Sequence, residues 1–263
     1  MRFIQKSNNL RVSESPRIEQ SVTGRFMTLV DGQLRSGRLP NRKFRIGDYT
    51  STYMELRASS PTTIRVVLFD IGGVLVESSG VATMLAWMRN SVSPEQLWRR
   101  WLTSSCVRAF ETGRLSPEAF ADQVIAEFDL PVSRECFLDE MTRWSVMLFP
   151  DAIELVEQIP PQYVRATLCN TNVIHWRYLM RNEGLTRAFP HHFASHLIGK
   201  IKPDAEAFHH VTDALQCEPQ EVIFLDDNDM NVVAARSVGM QAVRVRGIAE
   251  AKRALVASRV LEN

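Results

Sequence analysis

Residues 66–76 read VVLFDIGGVLV, and this stretch decides the fold. Its run of apolar residues is typical of a buried strand, and the two glycines that follow Asp70 and Ile71 allow the backbone to turn sharply. An aspartate at the carboxyl end of the first parallel strand lies where open α/β sheets bind their ligands. Taken alone, Asp70 would be a turn or helix-capping residue, so its interpretation depends on what later stretches bring beside it.

The composition is that of an ordinary globular protein, with 45% hydrophobic and 23% charged residues among 263. The net charge of +1 gives no reason to expect nucleic acid or an anionic membrane as a partner. The four cysteines have no CxxC spacing, which favours reduced thiols and a cytoplasmic location over a disulfide framework. No apolar run approaches the roughly 20 residues that span a bilayer.

The first 62 residues differ from the rest of the chain in charge and in pattern. Residues 1–60 hold 11 Lys and Arg against five acidic residues, and they lack sustained hydrophobic periodicity. Three interpretations remain open, namely a disordered basic arm, an Arg- and Ser-rich targeting peptide, or sequence upstream of the true start. We expect a disordered or non-native extension over residues 1–62.

Residues 79–148 are predicted to be entirely helical. The sequence Ser93-Pro94-Glu95-Gln96 combines an N-cap serine, a proline at the first helical position and a glutamine at the third, which together form a capping box. Ser116-Pro117-Glu118 repeats the first two signals, and apolar residues recur at helical spacing. We therefore expect a helical insert, and we place four of its tryptophans in the core rather than on a ligand surface: Trp87, Trp98, Trp101 and Trp144.

From residue 149 onward, helices alternate with short apolar strands. Strands are predicted at residues 164–168, at 193–197, from Val222 to the acids Asp226-Asp227, and at 241–245. This alternation implies an α/β fold with a Rossmann-like parallel sheet and right-handed crossovers, formed by residues 63–78 and 149–263 around the helical insert 79–148. Because parallel strands put their carboxyl ends on one edge, Asp70, Asn170 and Asp227 should converge.

The residues at these strand ends are suited to phosphoryl transfer. Asp70 and Asp227 would form an oxygen-rich site for Mg²⁺, with the backbone carbonyl of Gly72 as a further ligand. Lys202 lies beside a proline, where its ammonium could neutralise a phosphate oxygen and orient Asp70. The backbone N–H groups after the strand that ends near Asn170 suit an anion. Together they supply a carboxylate nucleophile, a metal, a cation and amide donors.

These motifs closely resemble those of the haloacid dehalogenase-like (HAD) hydrolase superfamily, in the subgroup with a helical cap inserted after the first motif. The resemblance covers residues 64–247. The stretch 69–75, FDIGGVL, is similar to the first motif and implies that Asp70 is the nucleophile. Lys202 in KIKPD, residues 200–204, matches the lysine of the third motif.

The second and fourth motifs complete the resemblance. The stretch 168–172, LCNTN, is similar to the phosphate-binding motif, which implies that Cys169, Asn170 and Thr171 contact phosphate. The stretch 224–231, FLDDNDMN, matches the fourth motif and aligns Asp227 with its metal ligand. It also implies supporting roles for three further residues: Asp226, Asn228 and Asn231.

Two positions depart from the family's usual pattern. Phosphatases of the superfamily usually carry a second aspartate two residues after the nucleophile as general acid and base, and here that position is Gly72. The bacterial sugar-phosphate branch that this sequence resembles, which includes glucose-1-phosphate phosphatase, often lacks this acid too. A substrate hydroxyl, a metal-bound water or a cap residue is left to replace it. Cys169 stands where the family usually has Ser or Thr, and we interpret it as a space-filling residue.

The resemblance implies a Mg²⁺-dependent phosphatase that acts on a small phosphorylated metabolite, such as a sugar phosphate, through an aspartyl-phosphate. Two alternatives remain, a catalytically impaired relative that binds phosphorylated ligands or a protein partner, and a haloacid dehalogenase. Gly72 and Cys169 favour the first alternative, while Asp227 argues against the second. The oligomeric state is not predicted.

Overall fold

The computed structural model describes residues 25–30, 33–38, 63–77, 80–89, 91–144 and 147–262. The chain divides into two compact units, residues 1–60 and 61–263. In the first unit, strand β1 (Arg25–Val30) pairs with strand β2 (Gln33–Arg38) in an antiparallel hairpin. This hairpin was not predicted, although Asp31-Gly32 is a strong sequence signal for a two-residue hairpin loop. The remainder of the expected disordered segment lies outside the described residues.

The second unit contains a five-stranded, fully parallel sheet, as predicted. Its strand order is β5-β4-β3-β6-β7, so the strand before Asp70 lies in the centre. The bounds are β3, Val66–Phe69; β4, Val164–Cys169; β5, His191–Ala194; β6, Val222–Asp226; and β7, Gln241–Arg244. The strand predicted at 193–197 was wrong in part, because β5 ends at Ala194 and residues 195–198 form a helical turn.

In the described residues of the predicted helical insert between β3 and β4 there are five helices, and we call this segment the cap. Their bounds are α1, Gly80–Trp87; α2, Pro94–Thr103; α3, Ser105–Glu111; α4, Pro117–Phe128; and α5, Arg134–Met141. The capping box at Ser93 is present, since its hydroxyl accepts from the N–H of Gln96 and the Gln96 side chain accepts from the N–H of Ser93. Ser116 likewise caps α4 by accepting from the N–H of Ala119.

The cap has a hydrophobic cluster of its own, which includes Trp101, Phe120 and Phe137. The prediction for its tryptophans was wrong at Trp98, whose side chain is 37% exposed. Trp98 follows the buried Leu97 on α2, and the helical rotation between neighbours turns its ring away from the cluster.

In the part of the chain that the structure describes, seven helices cover the two faces of the sheet. Their bounds are α6, Ala152–Glu157; α7, Val173–Leu179; α8, Glu183–Ala188; α9, Ser195–Ile198; α10, Ala205–Leu215; α11, Asp229–Ser237; and α12, Gly247–Ala257. Val67 and Phe69 pack toward α6, α7, α8 and α12, whereas Val66 and Leu68 pack toward α10 and α11. Both faces of β3 are therefore buried, which explains its continuous apolar run.

The cap and the sheet are joined by paired chain segments and by side-chain contacts. The N–H of Glu77 donates to the carbonyl of Met147 at 3.0 Å, and the N–H of Phe149 donates to that of Leu75 at 2.9 Å. Arg108 of α3 forms an ion pair with Asp204, which precedes α10. Among the described residues, no helix is both long enough and apolar enough to cross a bilayer.

Candidate active site

Asp70 follows the central strand and is held there by the backbone. Its N–H donates to the carbonyl of Leu225 on β6 at 2.8 Å, which keeps the two strand ends in register. The chain then turns through Gly73, whose φ of +71° favours glycine. A Cβ on Gly73 would overlap the carboxylate of Asp227, so the second glycine also allows the two acidic motifs to approach.

Lys202 lies at the centre of the site and is only 1% exposed. Its Nζ is 2.8 Å from Oδ1 of Asp70 and 2.7 Å from Oδ2 of Asp226. Burial lowers the pKa of Lys202, but the two carboxylates outweigh it and hold the pKa above its ordinary value. Lys202 is therefore charged. It contacts Asp70, the residue it was expected to orient, and it also contacts Asp226 of the fourth motif, which the sequence did not predict.

The two acids of the fourth motif have different surroundings. Asp226 is fully buried and accepts hydrogen bonds from Lys202, from the backbone N–H of Asn228 at 2.8 Å, and from Nδ2 of Asn231 at 3.0 and 3.1 Å. Within the described part of the chain, no donor contacts the carboxylate of Asp227. The carboxylate of Asp226 is thus occupied by hydrogen bonds within the protein, whereas that of Asp227 is available to a ligand.

Among the residues that the structure describes, three carboxylates share the site with a single ammonium group. Oxygens of Asp70, Asp226 and Asp227 lie within 4.8 Å of one another. Burial raises the pKa of Asp70 to about 7, with Lys202 opposing the rise and both neighbouring acids adding to it. Burial and Asp226 likewise raise the pKa of Asp227 to about 6. The site therefore carries more negative charge than Lys202 compensates.

This excess charge fits a divalent cation with oxygen ligands. Asp70 and Asp227 offer free carboxylate oxygens, and Gly72 lines the same cavity beside them. Asn231 also lines it, and its Oδ1 is buried and has no hydrogen-bond partner among the described residues. A hydrated Mg²⁺ keeps several waters, which could donate to such an oxygen. The residues of this site thus fit the Mg²⁺ ion that the sequence implied.

The second motif differs from the sequence expectation in its backbone. The N–H of Thr171, expected to contact phosphate, donates instead to Oγ of Ser195 at 2.9 Å. The Asn170 side chain pairs with the backbone of Lys202, accepting from its N–H at 2.9 Å and donating to its carbonyl at 2.8 Å. Asn170 therefore positions the lysine. Sequence alone could not have found this bond, because the two residues come from separate loops.

Cys169 is buried next to Asp70, with a relative exposure of 5%. Burial, together with the Asp70 carboxylate, raises the pKa of its thiol far above the ordinary value. The thiol stays protonated, so it does not supply a nucleophile. This agrees with the interpretation of Cys169 as a space-filling residue.

The cap encloses a cavity of about 150 Å³ above Asp70. Its cap-side wall is mainly apolar and aromatic: Val81, Met84, Leu97, Trp98, Trp101, Leu102 and Trp144. One charged cap residue, Glu111, lines it as well, and sequence reasoning missed this residue. The sequence signal that could have revealed Glu111 is its spacing, because it lies four residues after the buried Val107 and so on the same apolar face of α3.

His175 connects the second motif to the cap. Its Nε2 lies 2.9 Å from the carbonyl oxygen of Met141, so this nitrogen donates, and its Nδ1 lies 3.2 Å from Nδ2 of Asn172 and accepts. Burial lowers the pKa of His175 and keeps the ring neutral, consistent with this pairing.

A parallel sheet with a carboxylate after its central strand, a buried lysine and a helical cap are the features that the sequence motifs led us to expect. Residues 64–239 match the model of a family described as haloacid dehalogenase-like hydrolase. That match spans more than half of the chain, and the chain belongs to this family. The superfamily expected from the sequence is therefore confirmed.

Known relatives span more than one activity. The chain is 29% identical over 187 residues to the sesquiterpene phosphatase astK of Aspergillus oryzae, covering 68% of this chain and 88% of that protein. It is 27% identical over 197 residues to an (S)-2-haloacid dehalogenase of Xanthobacter autotrophicus, covering 71% and 77%.

A solved structure has the same fold. A HAD family enzyme of Bacteroides thetaiotaomicron, bt-2542, in complex with magnesium and inorganic phosphate, superposes with a TM-score of 0.56. The two sequences are 22% identical, and the match covers 70% of this chain and 94% of that one.

Proposed function

We propose that this protein is a Mg²⁺-dependent phosphatase that hydrolyses a small organic phosphate monoester through an aspartyl-phosphate on Asp70. The observation that carries the proposal is the contrast between the two acids of the fourth motif. Asp226 is saturated by Lys202 and Asn231, while Asp227 is left free beside Asp70 at the floor of the cavity. We further propose a cytoplasmic location, and a division into a core of residues 63–78 and 149–263 and a cap of 79–148.

The residues of the chain divide the work of the reaction. Asp70 attacks phosphorus with the carboxylate oxygen that Lys202 does not hold, and the ammonium of Lys202 keeps the other oxygen in place. Bound Mg²⁺, held by Asp70, Asp227 and the carbonyl of Gly72, would supply charge neutralisation for the phosphate oxygens. Because Lys202 is buried and its Nζ is hydrogen-bonded to Asp70 and Asp226, the site is preorganised for this attack.

The wall of the cavity favours an apolar substrate over the sugar phosphate that motif spelling suggested. Hydroxyl groups of a sugar need hydrogen-bond partners when buried, and the tryptophan, leucine and methionine side chains of the cap offer few. The sesquiterpene phosphatase relative acts, by its name, on a compound with a large hydrocarbon part. We therefore propose that the non-phosphate part of the substrate is largely apolar.

The full chain should release inorganic phosphate from benzyl phosphate or a short alkyl phosphate in the presence of Mg²⁺. Halide release from 2-chloropropionate without metal is the matching test of the dehalogenase activity that one relative carries. Halide release without any phosphate release would indicate a dehalogenase instead of a phosphatase. A folded protein inactive toward both substrates would favour a binding role.

Asp227→Asn is expected to weaken Mg²⁺ binding by at least about tenfold, because it removes the negative charge of a proposed metal ligand. Among the described residues, no hydrogen-bond donor contacts this carboxylate. Calorimetric titration with Mg²⁺ measures the effect directly, and the metal dependence of turnover provides a second reading. Asp229→Asn is the matched control, since Asp229 lies two residues further on and its side chain is 71% exposed. Equal Mg²⁺ affinity in the wild type and Asp227→Asn would remove Asp227 from the metal site.

Trp98→Ala is expected to raise KM for benzyl phosphate about tenfold, while KM for glycerol phosphate stays within about twofold. The variant loses roughly 50 Å² of apolar contact with the substrate. At about 25 cal/mol per Å², this weakens the binding free energy by about 1.3 kcal/mol. Val233→Ala is the control, because Val233 is 63% exposed on α11 and does not line the cavity. An equal rise in KM for both substrates would contradict the apolar assignment.

A further inference from the structure

Glu111 is a buried acid that faces the reaction site from the cap. It is the last residue of α3 and only 7% exposed, and it lines the same cavity as Asp70 and Lys202. Its only hydrogen bond among the described residues comes from Nε1 of Trp101, at 3.3 Å to Oε1. The rest of its carboxyl group is available to a ligand in the cavity.

The position of Glu111 is unfavourable for a charged carboxylate. A negative charge at a helix C-terminus opposes the helix dipole, and burial removes it from water. The charged groups that face it are Lys202 from the core and Arg108 on its own helix, and each is already paired, with Asp70 and Asp226 and with Asp204. Burial raises the pKa of Glu111 to about 7, which allows both protonation states near neutral pH.

Asp70 and Asp226 hold Lys202 in its charged form, which makes it a poor proton donor, and the other titratable groups of the cavity are also unsuited to give a proton to a leaving group. Gly72 occupies the position where related phosphatases usually carry their acid. The Cys169 thiol has a strongly raised pKa, and both nitrogens of His175 are engaged by Met141 and Asn172. Asp70 and Asp227 are assigned to attack and to the metal. Of the described residues that line the cavity, Glu111 is the remaining acid.

We propose that Glu111 is the general acid and base of the reaction, in place of the aspartate absent at position 72. As Asp70 forms its bond to phosphorus and the bond from phosphorus to the ester oxygen breaks, the Glu111 carboxyl gives its proton to that oxygen and an alcohol leaves. Water then attacks the phosphorus of the aspartyl-phosphate, and the Glu111 carboxylate takes its proton. The bond between phosphorus and Asp70 breaks, which releases phosphate and restores Glu111 to its protonated form.

This inference rests on the proposed phosphatase activity, and leaving-group dependence separates the two. Benzyl phosphate and p-nitrophenyl phosphate are similar in size and apolarity, but benzyl alcohol needs a proton to leave whereas nitrophenolate does not. With protein in excess over substrate, Glu111→Gln should slow single-turnover release of benzyl alcohol by about 10²–10⁴-fold. Release of nitrophenol in the same assay should fall by less than tenfold, since this step requires no proton from Glu111.

The second half of the reaction gives an independent reading. With excess p-nitrophenyl phosphate, Glu111→Gln should show a burst of one nitrophenol per protein and then slow turnover, because the base that activates water is lost. Glu111→Met is a second variant that removes the acid without burying a polar group, and the same pattern is expected for it. Glu157→Gln is the matched control, because Glu157 is exposed on α6 and does not line the cavity, and it should leave both rates unchanged.

Equal slowing of both single-turnover rates, or no slowing of either, would overturn the role of Glu111 as an acid. Thermal unfolding of each variant separates such a result from a loss of folded protein. If the wild-type protein releases no alcohol from either ester, the proposed phosphatase activity itself has failed.

Discussion

Replacing Asp70 with asparagine is expected to reduce phosphate release by more than about 10⁴-fold, because the amide cannot form the aspartyl-phosphate. The fold should survive, since the side-chain oxygen of asparagine can still accept the 2.8 Å hydrogen bond from Lys202. The change also removes one of the uncompensated negative charges of the site, so thermal stability should be equal to or higher than that of the wild type. Turnover of benzyl phosphate and a melting curve measure the two effects.

The control for Asp70→Asn is Asp213→Asn, which makes the same chemical change at an exposed position on α10. Mass spectrometry of the rapidly quenched wild-type protein should detect a phosphoryl group that Asp70→Asn lacks. Full activity in Asp70→Asn would rule out Asp70 as the nucleophile, whatever the other variants do.

Lys202→Met is expected to lower both activity and the free energy of unfolding. Lys202 is the ammonium that pairs with Asp70 and Asp226, and both partners are buried. Removing one member of a buried ion pair typically costs about 3–5 kcal/mol, because the remaining charge is left uncompensated in a poorly solvated site. Urea unfolding at neutral pH measures this loss.

The loss in Lys202→Met should shrink at low pH. The pKa of Asp70 is about 7 even with Lys202 in place, so without the lysine its carboxyl takes up a proton more readily and the uncompensated charge disappears. The difference in unfolding free energy from the wild type should therefore be larger at pH 8 than at pH 5. Lys252→Met, at an exposed position on α12, should have almost no effect at either pH. A loss for Lys202→Met that does not depend on pH would contradict this electrostatic explanation.

Much of the fold could be predicted from local pattern. The apolar runs before Asp70 and before Asp226 have the length of buried strands, and their alternation with helices implies a parallel sheet. Helix starts were equally readable, because Ser93 and Ser116 satisfy backbone N–H groups within their own turns. The exception was the end of β5, where the chain turns into α9 after Ala194 without a strong local signal.

The approach of Asp70 and Asp227 was also predictable, since strand ends of a parallel sheet meet on one edge. The different roles of Asp226 and Asp227 were not predictable. Both acids follow the same strand, and only the contacts from Lys202, Asn228 and Asn231 make one structural and leave the other free. The N–H of Thr171 illustrates the same limit, because its partner Ser195 comes from another loop.

The sequence by itself determined the parallel sheet and the helical insert, and it placed Asp70 at the carboxyl end of a strand in that sheet. These features depend on hydrophobic periodicity, turn residues and the order of strands along the chain, all of which the local sequence specifies. Only the tertiary structure decided that Trp98 and Glu111 line the cavity above Asp70. Their positions depend on how cap helices pack over the sheet, and that packing is set by contacts between residues far apart in the chain.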